Sequence, residues 1–129
     1  MPHAVLIADN DRAVNGLLCE LIGQQGHRVV SAYDGRQAQA HLQQGAVALL
    51  VCDLDMPALD GLGVLEWLGN QRSPPPSLVV SGFLDAGIER RLREMPFVRG
   101  IYQKPFDLLA FGDKVNDLLA GQTPAAEVH

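Results

Sequence analysis

Val47-Ala48-Leu49-Leu50-Val51-Cys52-Asp53-Leu54-Asp55-Met56-Pro57 is the stretch that decides the fold. The apolar run from Val47 to Cys52 is unbroken and stops at a carboxylate, Asp53. A strand with one wet face alternates in polarity, whereas a continuous short run is the pattern of a strand covered on both faces of a parallel sheet. Leu54 to Asp60, with Pro57, then reads as a loop, and Gly61 opens a helix bearing Leu62, Leu65 and Leu68. Ser73-Pro74-Pro75-Pro76 breaks that helix.

The same alternation extends both ways. Upstream, Ala4 to Ala8 is a short apolar strand that ends in Asp9-Asn10-Asp11. Val14, Leu17, Leu18, Leu21 and Ile22 follow at helical spacing, with Asn10 or Asp11 as cap and Gly26 as stop. Arg28 to Tyr33 is a second strand, and Asp34-Gly35 starts a short helix through Ala38 and Leu42 that ends near Gly45. Downstream, Ser77 to Ser81 is the fourth strand, a helix runs from about Leu84 to Glu94, and Arg99 to Gln103 is the fifth strand. Asp107 caps a last helix with Leu108, Phe111, Val115, Leu118 and Leu119 on its apolar face. Five strands alternating with five helices through short connections predict an α/β fold with a parallel sheet covered on both faces. Residues 1–121 are expected to form this domain and 122–129 a flexible tail.

Composition narrows the function. The 129 residues are 47% hydrophobic and 19% charged, which suits one folded domain and excludes disorder as the main state. No apolar run approaches the roughly 20 residues of a membrane span, and the N-terminal segment lacks the basic start of a secretory signal. A cytoplasmic protein is expected, with Cys19 and Cys52 as reduced, buried thiols. The net charge of −5 argues against nucleic acid as a direct partner. Arg90, Arg91 and Arg93 are interleaved with Glu89 and Glu94 and read as a solvated helix face. The four histidines have no metal-ligand spacing, and no Walker-type or dinucleotide loop is present.

Ligands of such sheets sit at the carboxyl ends of the strands. Those ends carry Asp9, Asn10 and Asp11, then Asp53 and Asp55, then Ser81, then Lys104. Crowded carboxylates repel, and a hard divalent cation relieves the repulsion; Mg²⁺ needs only one or two carboxylates plus neutral oxygens and water. Its remaining positions can take phosphoryl oxygens. Lys104 can neutralise another such oxygen, Ser81 can donate to a third, and an adjacent carboxylate is then a competent nucleophile toward phosphorus.

Leu6-Ile7-Ala8-Asp9-Asn10-Asp11, Asp53-Leu54-Asp55-Met56-Pro57-Ala58-Leu59-Asp60-Gly61, Val79-Val80-Ser81-Gly82 and Gln103-Lys104-Pro105-Phe106 together resemble the response-regulator receiver domains of two-component signalling, over about residues 4–120. The resemblance implies a flavodoxin-like sheet of order 2-1-3-4-5. It implies that Asp53 is the phosphoacceptor, with weak self-catalysed phosphotransfer and dephosphorylation. Mg²⁺ would be held by Asp9, Asn10, Asp53 and the backbone carbonyl of Asp55, Lys104 would contact the phosphoryl group, and Ser81 would move toward it. The Lys104–Pro105 peptide is expected to be cis. The implied partners are a histidine kinase or phosphotransfer protein and an output domain or effector protein, and a homodimer stays open.

Two positions depart from the family pattern. Asn10 stands where a second acid is usual, which predicts weaker Mg²⁺ binding. Ile101 stands where an aromatic switch residue is common, so a Ser81-linked change must be read out through Ile101 packing or the backbone. Tyr102 should point to the opposite face, because strand side chains alternate. Asp55 is either a solvated loop residue or a charge that modulates phosphoryl chemistry. Two rival readings remain: a phosphorylation-independent interaction module of receiver shape, and a haloacid-dehalogenase-like phosphatase built on Asp53-Leu54-Asp55.

Overall fold

A computed structural model describes residues 3–121. The expected tail at 122–129 lies outside the described residues. In chain order the elements are β1 (Ala4–Ala8), α1 (Arg12–Gln24), β2 (Val29–Ala32), α2 (Gly35–Gln43), β3 (Val47–Asp53), α3 (Gly61–Leu68), β4 (Ser77–Ser81), α4 (Ala86–Arg93), β5 (Val98–Gln103) and α5 (Leu108–Ala120). The sheet is parallel throughout, with order β2-β1-β3-β4-β5.

Every helix starts on an aspartate whose carboxylate takes free amides of the first turn. Asp11, Asp34, Asp60, Asp85 and Asp107 do this for α1 to α5 in turn. Asp11, not Asn10, is therefore the α1 cap. Asp85 likewise sets the start of α4 at Ala86, later than periodicity places it.

The sheet separates two apolar layers. Leu6, Ala8, Leu50, Cys52 and Val79 face one side and pack with Ala38, Val64, Leu65, Leu68 and Leu92 from α2, α3 and α4. Val5, Ile7, Leu49, Val51, Leu78 and Val80 face the other and pack with Leu18 and Ile22 of α1 and Phe111, Val115 and Leu118 of α5. The period of two along each strand makes this division, and it explains why β3 reads as a continuous apolar run. Ile101 joins the first layer and Tyr102 the second. Tyr102, Phe106 and Phe111 form a ring cluster with centroids 5.0–5.7 Å apart.

The α1 face differs from the expected one. Leu18 and Ile22 are fully buried, but Leu17 is 50% exposed and Asn15 is buried instead. Cys52 is buried as expected, while Cys19 is only half-buried; both thiols are free.

Candidate functional site: the acidic pocket at the β1–β3 switch point

The chain leaves β1 toward one edge of the sheet, through β2, and returns to build the other half from β3 onward. Loops on either side of that reversal diverge, so a crevice opens at the carboxyl ends of β1 and β3. Ala8 and Cys52 are register partners there, and the next residues on the two strands are Asp9 and Asp53.

Both carboxylates are buried, with side chains only 1% and 3% exposed. Buried charge needs compensation. Lys104, just beyond the end of β5, supplies it: its Nζ donates to Asp9 Oδ2 at 2.9 Å and to Asp53 Oδ2 at 3.4 Å. The backbone holds Lys104 in place through its amide, which donates to the Ser81 carbonyl at 2.7 Å. The Lys104–Pro105 peptide is cis, as expected. The other carboxylate oxygens take backbone amides, Asp11 N–H on Asp9 Oδ1 at 2.9 Å and Asp55 N–H on Asp53 Oδ1 at 3.1 Å.

One ammonium does not balance two carboxylates. Burial pushes the Asp53 carboxyl up to about 6; Asp9 adds to the rise, while the Asp55 amide and Lys104 oppose it. Burial alone would lower Lys104, but its contacts with Asp9 and Asp53 outweigh that and raise it, so it stays an ammonium. Burial also pushes the Cys52 thiol far up, with Asp53 and Asp9 adding to the effect. Cys52 is thus a core residue, not a reactive thiol.

The expected Mg²⁺ fits this donor set. Every donor is a hard oxygen, and the pocket carries surplus negative charge that burial penalises. Among the described residues no three Asp, Glu, His or Cys side chains are grouped to hold a metal. An ion here would take the two carboxylates, the Asn10 amide oxygen or the Asp55 carbonyl, and water.

Ser81 is the partial exception. Its side chain is buried at the end of β4, but its hydroxyl donates to the Phe83 carbonyl at 2.8 Å and accepts the Phe83 amide at 3.1 Å. Asp55 Oδ2 stands 3.4 Å away, on a residue otherwise exposed. Within the described residues no hydrogen bond joins Ser81 to Asp53. Asp9, Asp53 and Lys104 are thus brought together, and Ser81 is adjacent but engaged locally. Sequence reasoning missed Asn15, which holds the Asp9 carbonyl at 3.0 Å. Its signal was its place on the Leu18–Ile22 stripe.

Residues 5–115 match the family model of the response regulator receiver domain. This chain belongs to that family. Response regulator MprA of Mycolicibacterium vanbaalenii is 32% identical over 133 residues, covering 96% of this chain and 53% of its own length. Response regulator RR06 of Streptococcus pneumoniae is 25% identical over 115 residues, covering 89% of this chain and 52% of its own. This receiver domain therefore spans about half the length of these two relatives. In structure it is similar to the receiver domain of the Francisella response regulator 1452, with a TM-score of 0.83 at 24% identity over 94% of this chain and 99% of that one. A CheY-like receiver protein from Methanospirillum hungatei gives 0.86 at 19% identity over 95% and 97%. Both share the fold. Among the described residues no helix is long and apolar enough to cross a membrane.

Proposed function

We propose that this receiver domain takes a phosphoryl group onto Asp53 from a phosphohistidine of a histidine kinase or phosphotransfer protein. The observation that carries the reading is Lys104 Nζ reaching both buried carboxylates. A carboxylate oxygen of Asp53 forms the new O–P bond while the donor's N–P bond breaks. The departing imidazole keeps the electron pair and takes a proton from solvent. Asp53 can attack because it is ionised above its raised pKa, and the Asp55 amide fixes the direction of its carboxylate. Lys104 lies where it can exchange one carboxylate partner for a phosphoryl oxygen. Mg²⁺, held by Asp9, Asn10, Asp53 and the Asp55 carbonyl, would neutralise charge on the transferring group. Positioning and neutralisation carry most phosphoryl transfer, so no further acid–base group is required.

Ser81 gives the reading its switch. A phosphoryl oxygen near Asp53 competes for the hydroxyl now given to Phe83. Releasing Phe83 alters the loop into α4, and Ile101 on the neighbouring strand passes the change to the α4–β5–α5 surface by packing. That surface would meet an output domain or effector protein.

The test is to incubate the protein with Mg²⁺ and acetyl phosphate and weigh it intact. A gain of one phosphoryl group in the wild type and none in Asp53→Ala is the expected result. The rival reading, a module that is not phosphorylated, draws on the neutral Asn10 and on the Ser81 hydroxyl being already occupied. No mass gain in the wild type would favour it.

A further inference from the structure

Asn15 sits inside α1, three residues before Leu18, and is fully buried. A primary amide in an apolar layer is costly unless its donors and acceptors are all met. Here they are. Nδ2 donates to the carbonyls of Asp9 at 3.0 Å, Ala32 at 3.1 Å and Ile7 at 3.2 Å. Oδ1 accepts the Ser31 hydroxyl at 2.8 Å and the Cys19 thiol at 3.3 Å. Ser31 Oγ and Cys19 Sγ also stand 3.1 Å apart.

The consequence falls on Asp9. Its amide donates to the Ala32 carbonyl at 3.0 Å, its carbonyl takes Asn15, and its carboxylate takes the Asp11 amide and Lys104. Asp9 lies one residue beyond β1, where its amide makes the last backbone bond to β2 and its carbonyl is left to Asn15. Asn15 is the side chain that fixes the peptide there, and it ties that peptide to α1 and to the end of β2. We infer that Asn15 is a positioning residue for the Asp9 carboxylate, and that it tunes the affinity of the pocket for a divalent cation. The inference deepens the phosphoacceptor reading and rests on it for its biological use.

Removing an outer partner of a metal ligand typically weakens binding by about tenfold or more. Mg²⁺ binding to the unphosphorylated chain, measured by calorimetry, reads this directly. Asn15→Leu should weaken it by about tenfold. Ser31→Ala removes only the hydroxyl that orients the amide and should give a smaller loss of the same sign. It also serves if Asn15→Leu does not fold. Leu118→Ala, at the far end of the second apolar layer, controls for lost stability and should bind Mg²⁺ as the wild type does. Wild-type affinity in Asn15→Leu, or in Ser31→Ala if that is the variant that folds, overturns the inference. So does an equal loss in Leu118→Ala, or a wild type that binds no Mg²⁺. A wild type that binds Mg²⁺ but gains no phosphoryl mass overturns the phosphoacceptor reading and leaves the Asn15 result to stand on calorimetry.

Discussion

Gly61 packs against the Asp53 peptide so closely that a β-carbon there would overlap the Asp53 carbonyl oxygen and stand 2.6 Å from the Leu54 α-carbon. Its amide also donates to the Leu54 carbonyl at 3.0 Å, so α3 begins directly on the backbone that carries the pocket. Gly35, at the start of α2, meets the Leu59 carbonyl in the same way, and between them Ala58 turns the loop with a φ of 69°. Gly61→Ala should therefore displace Asp53 and destabilise the protein by about 1–3 kcal/mol, the usual cost of overpacking. Urea denaturation measures the loss, and acetyl phosphate uptake should slow in parallel.

The raised pKa of Asp53 gives a pH dependence with a definite sign. Between the ordinary carboxyl value of 3.8 and about 6, the folded protein holds more proton at this group than the unfolded chain does. Stability from this group therefore falls as pH rises through that window, and the loss is complete above it. In metal-free buffer Asp53→Asn should be more stable than wild type at pH 7.5 by on the order of 1 kcal/mol. The gain should be much smaller at pH 4, where the folded carboxyl is protonated and the unfolded one, at its ordinary 3.8, is about half so. Paired thermal melts at the two pH values check it; a gain that is the same at both would contradict it.

Lys104 and a metal ion compensate the same charge. Lys104→Met should slow phosphoryl uptake sharply while tightening Mg²⁺ binding severalfold, since a positive charge near the cation is gone. The variant's melting temperature should also respond more steeply to added Mg²⁺ than the wild type's. Weaker Mg²⁺ binding in the variant would mean that Lys104 is needed to shape the pocket more than to balance it.

Asn10→Asp restores a second acid next to Asp9. Position 10 is exposed, so water screens part of the added charge, and Mg²⁺ affinity should rise severalfold. Equal affinities, titrated side by side, would remove the idea that Asn10 weakens the metal site.

Asp55→Asn separates two roles for that carboxylate. If its 3.4 Å approach to the Ser81 hydroxyl matters, phosphoryl decay should change while uptake holds. Unchanged uptake and decay would leave Asp55 a solvated side chain whose amide and carbonyl do the work.

What was legible in the sequence was local. The β3 run, the helical spacing after Asp11 and the helix starts at Asp34-Gly35, Gly61 and Asp107 depend on neighbours within a turn or two, and the corresponding elements lie where those signals put them. The residue types at the strand ends were equally plain. The α1 face was not, because spacing gives a stripe but not its edges. Asn15 lies on the Leu18–Ile22 line and Leu17 beside it, and packing against β1 and β2 buried the amide and left the leucine exposed.

Asp9, Asp53 and Ser81 follow from strand ends; that Lys104, 95 residues from Asp9 and 51 from Asp53, reaches both carboxylates does not. Strand register, sheet twist and the turn after β5 set those separations, and no short window of sequence encodes them. The same holds for the Ser81 hydroxyl, which the loop geometry gives to Phe83. The sequence by itself determined which groups are present and at which edge of the sheet. Only the tertiary structure decided which of them touch, because a hydrogen bond is made or lost over a few tenths of an ångström.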